Sequence, residues 1–271
     1  MMNELSYFGS DGTPLFALAL TCKLETPKST IIFLHGGGPD HKSMLPLGEK
    51  FTDAYNVILP DLRGYGRSVC RNRSRYTWSQ YSDDLMVLIA LVNAPSVIVV
   101  AAGIGTTISL KTILKYPHSI QSLVLISIED MEDDVQKELE IKLLESFASR
   151  VESDGIEAAW KPLLDSLSPV IGHMVQDAIH RSDAQSIAAA AAIVYDRSFQ
   201  NIQELKDIAI PVLVIPGSDY RHPRALSESI SKLLVKGHLA PVSLSDSIRT
   251  TQDFSNMLFS PIKDFVDQLE I

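Results

Sequence analysis

The chain has 271 residues, 45% of them hydrophobic, and a formal net charge of −9. That length and apolar content suit one large α/β domain with an insertion, or two domains, and exclude a disordered chain. The acidity argues against nucleic acid and against an anionic membrane surface as partners. Asp11-Gly12 separates LSYFGS from LFALALTCK and predicts a hairpin of two antiparallel strands. Ile31 to Leu34 is a short apolar run without alternation, the pattern of a strand covered on both faces. It ends in His35-Gly36-Gly37-Gly38-Pro39. Residues 44–54 read as helical, Val57 to Leu59 as a strand, and Trp78 to Val92 as a helix with Tyr81, Leu85, Leu88, Ile89 and Val92 at helical spacing. Val97 to Val100 is a β-branched strand that stops at Ala101-Ala102-Gly103, and a helical pattern starts at Ile104. SLVLIS, from Ser122 to Ser127, is a further buried strand.

From about Ile128 to Glu204 the periodicity is helical and no strand is convincing. Alternation then resumes with a strand at Val212 to Ile215, a helix at Arg224 to Leu234, a strand in LAPVSLS, and a helix from about Asp253 to Leu269. Pro241 in that last strand suits an edge. Strands alternating with helices predict a mostly parallel sheet of about eight strands with helices on both faces. The expected division is a core of residues 1–127 and 205–271 and a helical cap of residues 128–204. Two cysteines, Cys22 and Cys70, offer neither a disulfide framework nor metal-ligand spacing. MMNELSYFGSDG lacks the character of a signal peptide, and no apolar run reaches the length of a membrane span. A soluble, cytoplasmic protein is expected.

These motifs, in this order, resemble the α/β-hydrolase superfamily in its cap-bearing form. His35-Gly36-Gly37-Gly38-Pro39 is similar to the family's oxyanion loop. Asp61-Leu62-Arg63-Gly64-Tyr65-Gly66-Arg67-Ser68 matches its D-x-R-G-x-G-x-S segment, and Gly217, Asp219 and Pro223 resemble the loop carrying the triad acid. The strand–turn–helix around Gly103 has the shape of the G-x-S-x-G nucleophile elbow. Aligning the last glycine of that motif on Gly105 puts Gly103 where the serine belongs, and Val97 to Thr107 contains no serine or cysteine. The family histidine belongs near Ser245 to Thr251, where there is none. The nearest, His238, is expected to precede the final strand.

The resemblance therefore implies a degenerate triad, with Asp219 as remnant acid and the nucleophile position vacant at Gly103. His222 is the candidate for a relocated base. Backbone groups of Gly37, Gly38 and Ile104 are the expected binders of a carbonyl or carboxylate oxygen, with His173 of the cap as a further ligand contact. His35 is read as bracing its loop, Arg63 as structural, and the Arg71-to-Arg75 run as a solvated loop, with an anionic ligand as the alternative. A threonine nucleophile at Thr106 or Thr107 is a minor alternative.

Three functions follow from these departures. One is a non-hydrolytic small-molecule binder or pseudoenzyme. The second is a cofactor-free lyase or oxygenase using the oxyanion pocket. The third is a hydrolase or esterase with relocated residues. No cofactor or metal is assigned, and the expected partner is a small ligand with a carbonyl or carboxylate. On this reading Gly103→Ser alone gives no working hydrolase, because a serine without a base stays protonated.

Overall fold

The computed structural model describes residues 2–25, 27, 29–131 and 134–269. In chain order the elements are β1 (Met2–Phe8), β2 (Pro14–Leu20), β3 (Thr30–Leu34), α1 (Leu45–Glu49), β4 (Asn56–Pro60), α2 (Trp78–Val92), β5 (Val97–Ala102), α3 (Ile104–Lys115) and β6 (Ser122–Ile126). Four helices follow: α4 (Asp134–Asp154), α5 (Ile156–Leu164), α6 (Pro169–Ile179) and α7 (Ala184–Ala190). The chain then returns through β7 (Pro211–Ile215), α8 (Arg224–Leu233), β8 (Lys236–Leu239) and α9 (Thr251–Asp267).

Among the described residues the eight strands form one sheet in the order β1-β2-β4-β3-β5-β6-β7-β8. The two pairings of β2 are antiparallel and every pairing from β4 to β8 is parallel. Side chains of the central strands alternate between two buried cores. Ile32, Leu34, Val99, Ala101, Leu123, Leu125, Val212 and Val214 pack with α2, α3 and α8. Ile31, Phe33, Ile98, Val100, Val124, Ile126, Leu213 and Ile215 pack with α1, α6 and α9. Burial on both faces is why these strands read as continuous apolar runs.

The topology also locates the crevice. From β3 the chain moves outward to β4, then crosses back over β3 to β5. That reversal is a topological switch point, and ligands of open α/β sheets bind there, beyond the carboxyl ends of the strands. The loops starting at His35 and at Gly103 both lie at that point.

Three elements differ from expectation. Helix α1 is only five residues long; Gly48 lies so close to β4 that a Cβ there would stand 3.0 Å from Val57 Cγ1. The last strand is Lys236–Leu239 rather than LAPVSLS, because β7 pairs with KGHL, and Pro241, lacking an N–H, falls beyond it. His238 therefore lies within β8, opposite Leu213, exposed and with its ring 6.1 Å from that of Phe265. Helix α9 begins at Thr251 behind a capping box made by Thr250 and Asp253.

The Arg71-to-Arg75 run is largely exposed, as expected of a solvated loop, and its guanidinium groups also find partners. Arg71 pairs with Asp183 at the start of α7, and Arg73 pairs with Glu145 of α4 and donates to the Ala188 carbonyl. Arg75 reaches Thr13 and Asp11. These contacts tie the helices between β6 and β7 to the sheet. Arg63 is fully buried, its guanidinium shared between Asp11 and Asp84 at 2.8–2.9 Å, as a structural residue should be. No helix among the described residues is long and apolar enough to cross a membrane.

Candidate active site

The elbow is set by one residue. Gly103 adopts φ 50°, ψ −123° between β5 and α3, a conformation that side chains with a Cβ rarely take. Its N–H donates to the Ile126 carbonyl at 3.1 Å. Gly105 is required two residues on: a Cβ there would stand 2.9 Å from Leu34 Cβ and 3.1 Å from the His35 carbonyl oxygen. Thr106 is fully buried and its hydroxyl donates back to the Gly103 carbonyl at 2.7 Å, so the hydroxyl is engaged within the first turn of α3. Ile104, the first residue of α3, has an N–H with no acceptor within the helix, like the start of any helix.

The loop between β7 and α8 brings an imidazole to this elbow. Asp219 Oδ1 accepts from the N–H groups of Arg221 and His222, both at 3.0 Å, which folds the loop into a tight turn. The same carboxylate meets His222 Nδ1 at 2.8 and 3.1 Å. That pairing puts the proton on Nδ1 and leaves the Nε2 lone pair outward. Burial opposes ionisation of Asp219, but the hydrogen bond and charge of His222 and the two amides outweigh it, so the carboxyl titrates below its ordinary value. Gly217 lets the loop close: a Cβ there would stand 2.5 Å from His222 Cβ. As a result, a Cβ built on Gly103 would lie 3.9 Å from His222 Nε2, with Gly36 Cα at 3.4 Å. The imidazole faces the position that a side chain on Gly103 would take.

The loop after β3 forms the facing wall. His35 is fully buried; its Nδ1 donates to the Gly36 carbonyl at 2.7 Å and its Nε2 accepts from the Leu62 N–H at 2.9 Å. Burial lowers its pKa despite nearby carboxylates, so it is a neutral brace with both nitrogens used. Gly37 borders the site, with Ile104 Cγ2 3.9 Å and Tyr65 Oη 3.6 Å from the position of a Cβ. Gly38, at φ 99°, lies under the helices instead: a Cβ there would stand 2.9 Å from Val175 and 3.1 Å from Trp160.

His173 does not reach the site. Val170, Met174, Val175 and Ala178 form the buried face of α6, and His173 lies on the opposite, exposed face. In the segment from Ser245 to Thr251, Ile248 is buried and the Ser245 and Ser247 hydroxyls bond each other in solvent. His238 stays on the β8 edge. Asp40, His41 and Asp61 cluster with potential ligand atoms within 4.8 Å, but their oxygens are already committed. Asp61 binds the backbone and Nδ1 of His41 and the Arg67 N–H, and Asp40 binds Arg181.

A family profile described as alpha/beta hydrolase fold matches residues 29–219, more than half of the chain. The chain belongs to the alpha/beta hydrolase fold family. Within that family it is similar to an uncharacterised Mycobacterium tuberculosis protein, 25% identical over 105 residues. That match covers 39% of this chain and only 30% of the relative's length. It is also similar to a putative carbamate hydrolase, RutD, of Agrobacterium fabrum, 26% identical over 212 residues, covering 73% of this chain and 77% of that one. Among solved structures, a thermophilic esterase from Thermogutta terrifontis superposes with a TM-score of 0.78 at 18% identity, covering 98% of each chain. This alpha/beta hydrolase chain thus combines the family's sheet and crevice with a glycine at the elbow.

Sequence reasoning gave no weight to two further neighbours of the site. One is Tyr65, noted only as the variable residue of its motif. The other is Ser127, which follows β6 at φ 54° with a buried hydroxyl lacking a hydrogen-bond partner, 3.1 Å from the position of a Gly217 Cβ. Neither has a periodicity or spacing signal; only the convergence of loops reveals them.

Proposed function

We propose that this chain catalyses proton transfer on a small carbonyl compound, without a covalent serine intermediate. His222 is the general base, Asp219 orients it, and the elbow N–H groups hold the carbonyl oxygen. The observation that carries this reading is the aim of His222 Nε2 at the vacant elbow, 3.9 Å from where a Cβ on Gly103 would stand. The vacated volume admits the substrate's reacting carbon beside the imidazole. The C–H bond α to the carbonyl breaks, its proton passes to Nε2, and its electron pair moves into the carbonyl to give an enolate. The N–H groups at the start of α3, with those of the Gly37 turn, stabilise the oxygen as it becomes negative. The proton then returns to carbon or is replaced from solvent. Residues 128–204 act as the cap, with Trp160 and Val175 closing on the Gly38 turn.

The test is deuterium exchange at the α-carbon of a panel of small ketones and β-keto acids in D₂O, followed by proton NMR. Exchange above the buffer rate is expected, falling about 10²- to 10⁴-fold in His222→Gln. Exchange that survives His222→Gln sinks the assignment of the base. Ligand-induced melting shifts with no exchange anywhere in the panel would replace it by the non-hydrolytic binder or pseudoenzyme reading.

A further inference from the structure

Tyr65 is nearly fully buried, 9% exposed, with its ring edge-on to His35 at 5.6 Å. Its hydroxyl makes no hydrogen bond to any described residue, and it is not one of the buried, unpartnered side-chain atoms, so the ring is buried while the oxygen keeps a face open to solvent. A phenol with a buried ring and an open hydroxyl keeps that hydroxyl available to water or to a ligand oxygen. The hydroxyl sits 3.6 Å from the position of a Cβ on Gly37, and Ile104 Cγ2 lies 3.9 Å from that same point. It is also near enough to Glu129 and Arg221, on the loops after β6 and β7, for both charges to act on it. The hydroxyl therefore lies beside the Gly37 turn, which Ile104 at the start of α3 also borders, within the field of charges on the loops after β6 and β7. Burial, with the Glu129 charge adding and Arg221 opposing, pushes the phenol's pKa up, which keeps it a protonated donor.

We infer that Tyr65 is a further catalytic residue, donating its hydroxyl hydrogen bond to the substrate oxygen that becomes negative opposite His222. This rests on the proton-transfer reading. It also gives the substrate a shape: the oxygen must be a carbonyl or enol at the end of a small apolar body, approached by a phenol on one side and backbone N–H on the other. The donor and the base then act on the two ends of one three-atom unit, the oxygen, the carbonyl carbon and the α-carbon. The proton leaves the α-carbon for Nε2, and the Tyr65 hydrogen bond strengthens as charge reaches the oxygen. Tyr65 keeps its own proton.

The probe is 4-nitrophenol, whose ionised oxygen mimics an enolate and whose colour reports ionisation. The wild-type protein is expected to bind it as the phenolate. Tyr65→Phe should weaken that binding about 10- to 100-fold, the worth of one hydrogen bond to a charged oxygen. It should leave the melting temperature of the unliganded protein unchanged or raised, because the deleted hydroxyl has no partner among the described residues. Equal phenolate affinity in the two proteins, or no phenolate binding by the wild type, overturns the proposal. So does a fall of several degrees in melting temperature, which would mark the hydroxyl as structural. The two readings fail separately. α-Proton exchange with no Tyr65 effect on phenolate affinity removes the tyrosine and keeps His222. Phenolate binding that depends on Tyr65, without exchange, keeps the donor and removes the base.

Discussion

Replacing Gly103 with serine is the sharpest perturbation available, because the sequence and the structure expect opposite results. A Cβ at this position meets Gly36 Cα at 3.4 Å, an ordinary contact, and lies 3.9 Å from His222 Nε2. A hydroxyl reaches about 1.4 Å further, so rotation about one bond brings it within the roughly 2.6–3.2 Å needed between nucleophile and base. The penalty is backbone strain at φ 50°, ψ −123°, on the order of 1–3 kcal/mol for a residue with a Cβ. For a chain of this size that lowers the melting temperature by roughly 2–4 °C per kcal/mol, leaving the fold intact. A fluorophosphonate probe reads the result. Serine Oγ attacks phosphorus, its proton passes to His222 Nε2, and fluoride leaves. Stoichiometric labelling of Gly103→Ser is expected, absent in wild type and lost again when His222→Gln is added. A folded Gly103→Ser protein that resists the probe would refute the geometry argued for His222.

Two further predictions concern the loop. Gly217→Ala places a Cβ 2.5 Å from His222 Cβ, so the loop must move; α-proton exchange, and labelling in the Gly103→Ser background, should fall about tenfold or more, while circular dichroism stays that of a folded protein. The lowered Asp219 pKa makes a pH prediction. A carboxyl depressed in the folded state stabilises it above the unfolded pKa, and that contribution is lost as pH falls through the folded value. Asp219→Asn should therefore melt below wild type near neutral pH, with the gap closing in acid from about pH 4 downward; a gap that widens in acid would contradict the assigned shift.

Much of this architecture was legible because apolar periodicity is set locally. The doubly buried strands and the elbow at Gly103 followed from runs such as Val97 to Val100, and α2 from its spacing. The last strand was misread because LAPVSLS is the more apolar stretch, whereas an edge strand is chosen by backbone pairing, here Lys236 to Leu239 against β7. His173 looked promising between apolar neighbours, but the phase of α6 turns it outward. Partners for the arginine run lie far along the chain, Arg71 reaching Asp183 112 residues on, beyond any local pattern. His222 could be named from its loop, but its aim depends on how closely Gly217 lets the chain double back. Tyr65 carried no signal, since an unengaged hydroxyl is a property of the assembled loops.

The closeness of Asp219 and His222 in sequence has a consequence for how the pair is built. Joining two groups across a long stretch of chain costs closure entropy that grows with the stretch. Here a single turn of four residues joins them, fixed by two amides of the same turn. The pair is thus held by contacts local to that turn, none of which comes from β8 or α9. The residues from Ser245 to Thr251 supply no imidazole, and buried Ile248 is their contribution to the core. Loosening that end of the molecule would leave the carboxylate and imidazole bonded to each other; their aim at Gly103 answers to the register of β7 beside β6.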